Sequence, residues 1–354
     1  MKSVFHIITT ICRGGAENQL EILVAEQIRQ GLDVHVIYLK DKPELKKNFE
    51  KVGATVHDEL ASQPPWLQPF KLRSLLKDGS PIVHAHLPRA ELIALFTLRK
   101  FKLVVSRHNT EPFLPGAPRL ISNFLSRLVE IRCIKIIAIS KAVKTYLISR
   151  SEVSKSENVV VVYYGYTPKF ERMAFSSNHK IPVLKIGTIS RLTFQKDIPT
   201  MFGAFSEYKK IVKSSSLHIL GAGPLESELR EKTKYMGISD TVFFMGRSPL
   251  VYEFLIELDV FILTSRYEGF GMVLLEAMDV GIPIVASRNS AIIEVLGEKF
   301  PGLCQTGNSQ DFCEKIRRLN DSEYRNKILD WQRLRLESFS VNYMCDRINK
   351  IYSL

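Results

Sequence analysis

Short apolar runs rich in β-branched residues alternate with helix-length segments along almost the whole chain, and that alternation leaves few folds open. In the first half the runs are VFHIIT, DVHVIYL, ATVHDE, IVHAH, LVVSRH, IKIIAIS and NVVVVYY, separated by segments such as AENQLEILVAEQIRQ and RAELIALFTLRKF. In the second half VLKIGTIS, SLHILGAG, TVFFMGR, VFILTS and IPIVAS alternate with IPTMFGAFSEYKKIV, PLESELREKTKYM, FGMVLLEAMDV and a polar stretch over 310–335. Strands that alternate with helices pair in parallel, because each helix carries the chain back to the edge where it started. The pattern predicts two parallel-sheet α/β domains. The change of unit falls around YTPKFERMAFSSNHKIP, which has no clear period, two prolines and a serine pair, and reads as a linker. The expected division is 1–167, 168–335 and a terminal helix over 336–354 that returns toward the first domain.

A chain of 354 residues, 45% hydrophobic and 24% charged, is long enough for two cores and excludes disorder as a class. The cysteines, Cys12, Cys133, Cys304, Cys313 and Cys345, form no C-x-x-C pair, so neither a disulfide framework nor a zinc site is expected. Met1-Lys2-Ser3 leads directly into VFHIIT, too short for a signal sequence, and no apolar run reaches membrane-spanning length. A cytoplasmic location follows as the expectation. Charge is uneven: 24 Lys and Arg face 15 Asp and Glu over 1–167, against 25 and 22 over 168–354. A basic first half favours anionic lipid headgroups, a phosphorylated acceptor or nucleic acid, although plain solubility accounts for it equally well. Within it, PPWLQPFKLRSLLK (64–77) sets Trp66, Leu67 and Phe70 beside Lys71, Arg73 and Lys77, with Leu72, Leu75 and Leu76 at helical spacing. The segment reads either as an interfacial anchor on the inner face of a membrane or as a helix whose leucines pack on the sheet.

The richest chemistry lies in TSRYEGFGMVLLEAMDVGIPIVAS, 264–287. A strand-like run ends in a glycine-broken turn bearing Glu268, and Glu276 follows eight positions later inside the next helix. Turns through Gly269 and Gly271 let backbone N–H groups approach a ligand, and the open N–H groups at a helix start favour phosphate oxygens. Carboxylates on either side can accept hydrogen bonds from sugar hydroxyls. That combination suits a nucleotide sugar.

Other candidates fall at strand ends, where open α/β sheets bind ligands. Cys12-Arg13-Gly14-Gly15-Ala16-Glu17 opens a helix after the first strand and is a second candidate anion site. Arg107, His108 and Asn109 end LVVS, and His108 is placed to donate a hydrogen bond or hold a substrate. Arg191 and Lys196 follow KIGTIS and suit a diphosphate, one as a bidentate fork and one as a point charge. His84 and His86 share a strand face without a third ligand spaced for metal, and read as cleft lining or core. Two rival classes are disfavoured. A nucleotide-dependent oxidoreductase lacks G-x-G-x-x-G after the first strand, and Gly221-Ala222-Gly223 lacks the third glycine. A noncatalytic basic protein that binds nucleic acid lacks a recognisable module and leaves Glu268 and Glu276 unexplained.

Taken in order, RGGAE, IVHAH, VVSRHN, IIAISKAV, VVYYGY, IGTISRLTFQKD, LHILGAGPLESEL, VFFMGR and SRYEGFGMVLLEAMDVGIPIVAS resemble the large retaining glycosyltransferase family numbered four, of group 1 type. That family includes lipopolysaccharide, capsule and O-antigen sugar transferases. The resemblance implies a GT-B fold, two Rossmann-like β/α/β domains facing a central cleft. It implies a retaining, metal-independent hexosyl- or N-acetylhexosaminyltransferase with no cofactor beyond its nucleotide-sugar substrate. A uridine diphosphate sugar is the expected donor, ahead of guanosine or adenosine donors, and the expected acceptor is lipid-linked or an oligosaccharide. By residue, Arg191 and Lys196 would hold the diphosphate, Glu276 the ribose, and Glu268 with Gly269, Phe270 and Gly271 the donor sugar. Gly246 and Arg247 would border the base. In the first domain Gly15 would lie near the phosphates and His108 near the reacting carbon. Tyr164 before Gly165, where the family often has Asn, Ala222, where it often has an acid, and SRNSAIIEV after PIVAS depart from the pattern.

Overall fold

The computed structural model describes residues 3–76, 81–170 and 182–354. Most of the expected linker, 171–181, and Lys77 lie outside the described residues. The chain divides into two compact units, Met1–Thr167 with Phe339–Leu354, and Pro168–Ser338.

The first unit holds a parallel sheet of β1 (Ser3–Ile8), β2 (Asp33–Tyr38), β3 (Thr55–His57), β4 (Ile82–His86), β5 (Lys102–Arg107), β6 (Lys135–Ala138) and β7 (Val159–Val161). Their spatial order is β3-β2-β1-β4-β5-β6-β7. Both faces are covered, so the strands are buried nearly end to end instead of alternating. The C-terminal helix Val341–Tyr352 packs on helix Gly15–Arg29, burying Met344, Cys345, Ile348, Ile351 and Tyr352 against Leu20, Leu23 and Val24. That approach requires Gly165, since a Cβ there would lie 2.6 Å from the Val341 Cα.

The second unit holds β8 (Lys185–Ile189), β9 (Ser216–Leu220), β10 (Val242–Gly246), β11 (Val260–Leu263), β12 (Ile284–Ser287) and β13 (Leu303–Cys304), in the order β10-β9-β8-β11-β12-β13. In each sheet the strand order reverses direction once, between β1 and β4 and between β8 and β11. The connections on either side of such a point leave opposite faces of the sheet and open a crevice at the carboxyl ends of its two strands. Arg191 follows β8 and Glu268 follows β11, so the second crevice lies between the expected phosphate and sugar ligands.

Candidate active site

In the second unit, three loops mesh around the end of β8. Ser190 N–H donates to Leu220 O at 3.0 Å, Leu192 N–H to Ala222 O at 3.2 Å and Gly221 N–H to Gly246 O at 2.7 Å. Gly221 has φ +142°, and a Cβ on it would sit 1.9 Å from Ser190 O; one on Gly223 would sit 2.4 Å from Leu192 O. The two glycines therefore serve backbone packing that holds Arg191 in place. Arg191 itself is exposed, and among the described residues its guanidinium has no hydrogen-bond or ion-pair partner. Arg247, beside the left-handed Gly246 (φ +68°), is likewise exposed.

A second seam joins the turn 193–197 to the loop after β11. Thr264 Oγ1 donates to Lys196 O at 2.9 Å, Arg266 N–H to Gln195 O at 2.8 Å and Gln195 Nε2 to Tyr267 O at 2.9 Å. The seam brings Lys196 Nζ to Glu268 Oε1 at 2.6 Å, where Ser265 Oγ also donates at 2.6 Å. Glu268 is buried and Lys196 nearly so. Lys196 is thus already paired with a carboxylate, a coupling the linear spacing did not reveal. Ser265, three positions before Glu268, and Asn289, whose Nδ2 donates to Ser265 O at 2.9 Å, complete the loop's support. Both are polar residues flanking a strand end, the signal by which they were detectable.

After buried Phe270, Gly271 in the left-handed region (φ +95°) starts helix Met272–Val280, whose N-terminus carries no side-chain cap and no acidic residue in its first turn. Glu276 lies one turn in. Burial pushes its carboxyl up to about 7, opposed by the nearby charge of Lys169. Among the described residues nothing hydrogen-bonds to this carboxylate, so its acceptor capacity is unspent. Lys169 sits at the start of the second unit, and no local pattern marked it.

In the first unit Gly15 begins helix Gly15–Arg29, and a Cβ there would meet nothing within 4 Å. Packing does not require glycine at that position. Arg107 is structural: its guanidinium is buried on Glu91 (2.7 Å) and Glu152 (3.3 Å) and lies over the Phe113 ring. His108 is engaged on both ring nitrogens, Nδ1 with the Tyr164 hydroxyl and Nε2 with His86 Nδ1 at 3.1 Å. The expectation of only two clustered histidines on β4 is corrected, because His6 on β1 joins His84 and His86 with donor atoms within 4.8 Å of one another. Each of their ring nitrogens already has a hydrogen-bond partner, which argues for a satisfied core network instead of a ligand set.

The helices Gln68–Leu75 and Arg119–Arg132 pack against helix Pro88–Phe96, which itself packs on the first sheet. In the first of these Leu72 and Leu76 are buried, as a core-facing helix demands, while Trp66 and Phe70 are 71% and 64% exposed. Arg119–Arg132 is inside out. It buries Ser122, Ser126 and Glu130, whose polar groups bind the backbone of 113–115 and 150–155, and exposes Leu120, Phe124 and Ile131. The acids of these helices, Glu91 and Glu130, are buried and bonded, whereas Lys71, Arg73, Lys100, Arg119 and Arg127 are exposed. Among the described residues no helix is long and apolar enough to cross a membrane.

Residues 13–170 match the sequence profile of Glycosyltransferase Family 4, and residues 169–331 that of Glycosyl transferases group 1. With two sheets of this topology and charged loops at the β8/β11 crevice, the chain belongs to the group 1 glycosyltransferases. It is 26% identical to an uncharacterized glycosyltransferase of Haemophilus influenzae over 96% of this chain and 97% of that one. It is 24% identical to the capsular polysaccharide biosynthesis glycosyltransferase CapM of Staphylococcus aureus, over 99% and 97%. The UDP-glucose complex of Anabaena HepE has the same fold, with a TM-score of 0.83 over the full length of both chains at 20% identity.

Proposed function

We propose that this chain transfers a hexosyl or N-acetylhexosaminyl group from a uridine diphosphate sugar to a lipid-linked or glycan acceptor, in the synthesis of cell-surface polysaccharide or lipopolysaccharide. The carrying observation is the set at the β8/β11 crevice: Lys196 bonded to Glu268, together with Arg191 and the Glu276 carboxylate, which have no hydrogen-bond partner among the described residues, beyond a helix start with no side-chain cap. Breaking a sugar–phosphate bond puts negative charge on the departing phosphate, and fixed cations and helix N–H groups stabilise charge that develops in the transition state. Arg191 and Lys196 meet the diphosphate, Gly246 and Arg247 border the base, Glu276 accepts from the ribose hydroxyls, and Glu268 with 269–271 holds the sugar. Neither carboxylate is a nucleophile here. The departing phosphate takes the acceptor proton on the face it leaves, which retains anomeric configuration, and the two cations supply the charge that a divalent metal would otherwise provide. In the first domain Gly15, where a Cβ would meet nothing within 4 Å, is assigned to the phosphates and His108 to the acceptor. The names of relatives in capsule synthesis and of a UDP-glucose complex support this reading.

The same reading places the chain at the inner face of a membrane. The acid-free outer surface of the three helices, with Trp66, Phe70, Leu120 and Phe124 among cations, fits an anionic lipid interface. The deciding experiment measures UDP release from UDP-glucose and UDP-N-acetylglucosamine with extracted lipid or glycan acceptors, with and without chelator, and the anomeric configuration of the product by NMR. Inverted product, or activity abolished by chelation and restored by a divalent cation, overturns the mechanism. Co-sedimentation with anionic vesicles at low salt tests the location. Binding left intact in a Trp66→Ser, Phe70→Ser, Lys71→Glu, Arg73→Glu variant excludes the 64–76 surface.

A further inference from the structure

The first sheet carries a relay of buried side chains that the donor chemistry does not use. It runs from the Tyr164 hydroxyl through His108, His86 and His6 to Gln27, and on through Tyr352 and His84 to Ser106. Strand register builds it. His6 pairs with His84 across β1 and β4, His86 follows at period two and pairs with Ser106 on β5, and His108 lies two residues beyond Ser106. Gln27 from helix Gly15–Arg29 and Tyr352 from Val341–Tyr352 close the relay from the helices packed on that face.

A neutral imidazole offers one donor and one acceptor nitrogen, so a chain of bonded rings has a single polarity. These rings are neutral: burial lowers His6 to about 4 and His108 to about 3, and holds His84 and His86 well below the ordinary range. Gln27 turns its Oε1 to His6 Nε2 at 2.7 Å, so His6 Nε2–H donates. His6 Nδ1 then accepts from His86 Nε2–H at 3.0 Å, His86 Nδ1 accepts from His108 Nε2–H at 3.1 Å, and His108 Nδ1 accepts from Tyr164. The other branch agrees. Gln27 Nε2 donates to the Tyr352 hydroxyl at 3.3 Å, Tyr352 donates to His84 Nδ1 at 2.7 Å, and His84 Nε2–H donates to Ser106 at 2.7 Å. Turning the Gln27 amide over reverses every link on both branches, so the polarity at His108 is decided at Gln27.

We propose that Gln27, His6 and His86 are positioning residues that hold His108 in the Nε2–H tautomer, presenting its Nδ1 as an acceptor to a hydroxyl at the end of the relay. In this structure that hydroxyl belongs to Tyr164. On the reading that the first domain takes the acceptor beside His108, a sugar hydroxyl that replaces Tyr164 must enter as a donor, which orients its oxygen lone pairs away from the ring. This second step rests on the proposed function; the relay itself does not.

The test uses the full chain labelled with ¹⁵N-histidine and two-bond proton–nitrogen correlation spectra, which report the ring nitrogen that carries the proton. His6, His86 and His108 should each be Nε2–H, and Gln27→Leu should turn His108 into a mixture of tautomers. Tyr352→Phe, a milder change that frees the amide to rotate, should move His108 the same way if Gln27→Leu fails to fold. An Nδ1–H His108 in the parent, or an unchanged His108 in the folded variants, overturns the proposal. With UDP-glucose as the donor probe, Gln27→Leu should lower kcat by about tenfold at unchanged KM, and should add nothing in a His108→Ala background, because residues acting through one another are not additive. Additive losses overturn the positioning role. A tautomer change with turnover unmoved keeps the relay and removes His108 from the acceptor site.

Discussion

If Glu276 holds the ribose as proposed, it links donor binding to pH through its buried surroundings. Burial raises its carboxyl from the ordinary 4.5 to about 7, while a ribose whose hydroxyls both donate needs the ionised form. If donor binds only that form, the apparent dissociation constant scales with the inverse of the ionised fraction, which is about 0.1 at pH 6 and about 0.9 at pH 8. Affinity for UDP-glucose should therefore rise about tenfold between pH 6 and pH 8, with proton release on binding below pH 7. UDP-glucose is the better probe than UDP, because its diphosphate lacks a terminal group that titrates in this window. The Glu276→Gln variant should bind weakly and without this slope.

The same substitution should stabilise the unliganded protein. A carboxyl whose folded value lies above its unfolded one lowers stability progressively as pH rises from about 4.5 to about 7, and the full loss is present above that. A fully covered group would cost on the order of 3 kcal/mol; for the partly covered Glu276 we expect about 2 kcal/mol regained in Glu276→Gln at pH 8 and almost nothing at pH 4. Calorimetric titration at several pH values measures the affinity, and urea unfolding at pH 4 and pH 8 measures the stability. A parent affinity flat with pH, or a variant that keeps the parent's slope, refutes the assignment of Glu276 to the ribose.

Arg191→Ala should lower turnover by about 10²–10³ with a fold unchanged by circular dichroism, and unchanged steady-state kinetics in soluble protein would remove Arg191 from the donor site. Gly15→Ala should fold like the parent yet bind UDP-glucose poorly, whereas Gly221→Ala should fail to fold or lose much of its stability, because its Cβ would overlap Ser190 O; thermal melts of the two variants reversed in order would contradict both assignments. Arg107→Ala should destabilise by about 3 kcal/mol in urea, since Glu91 and Glu152 lose their buried cation, and a loss confined to turnover would instead make Arg107 part of the active site.

Much of this architecture was legible because parallel sheets buried on both faces write themselves as continuous apolar runs, such as IVHAH and VFILTS, at spacings that only a helix fills. Strand order was not. Nothing local states that β4 lies beside β1, yet that pairing alone brings His6 to His84 and turns two histidines into a relay. Glu268 and Glu276 stood out because a glycine-broken turn before a helix is a local pattern. Their partners Lys196 and Lys169 lie far away in sequence, and only the seam between 193–197 and 264–268 and the entry into the second unit bring them close. The glycines of 221–223, read from sequence only as lacking the third glycine of a dinucleotide-binding loop, have a role that no local pattern states: the backbone of 190–192 occupies the space beside them.

The pairing of Lys196 with Glu268 changes how the charge of the donor site is to be counted. At 2.6 Å the carboxylate cancels most of the field that Lys196 would project, and Ser265 fixes the carboxylate in that position. Arg191, exposed and unpartnered among the described residues, has no carboxylate to offset its charge. On the proposed donor assignment, a diphosphate approaching the crevice would be attracted chiefly by Arg191 and by the uncapped helix start at Gly271, and would meet Lys196 only at short range, where it competes with Glu268 for the ammonium. On that assignment, as phosphate charge grows in the transition state the competition would shift toward the phosphate and would release Glu268 to accept from a sugar hydroxyl. An ion pair that weakens as the leaving group charges stabilises the transition state more than the ground state, which is the condition for raising turnover and not only affinity.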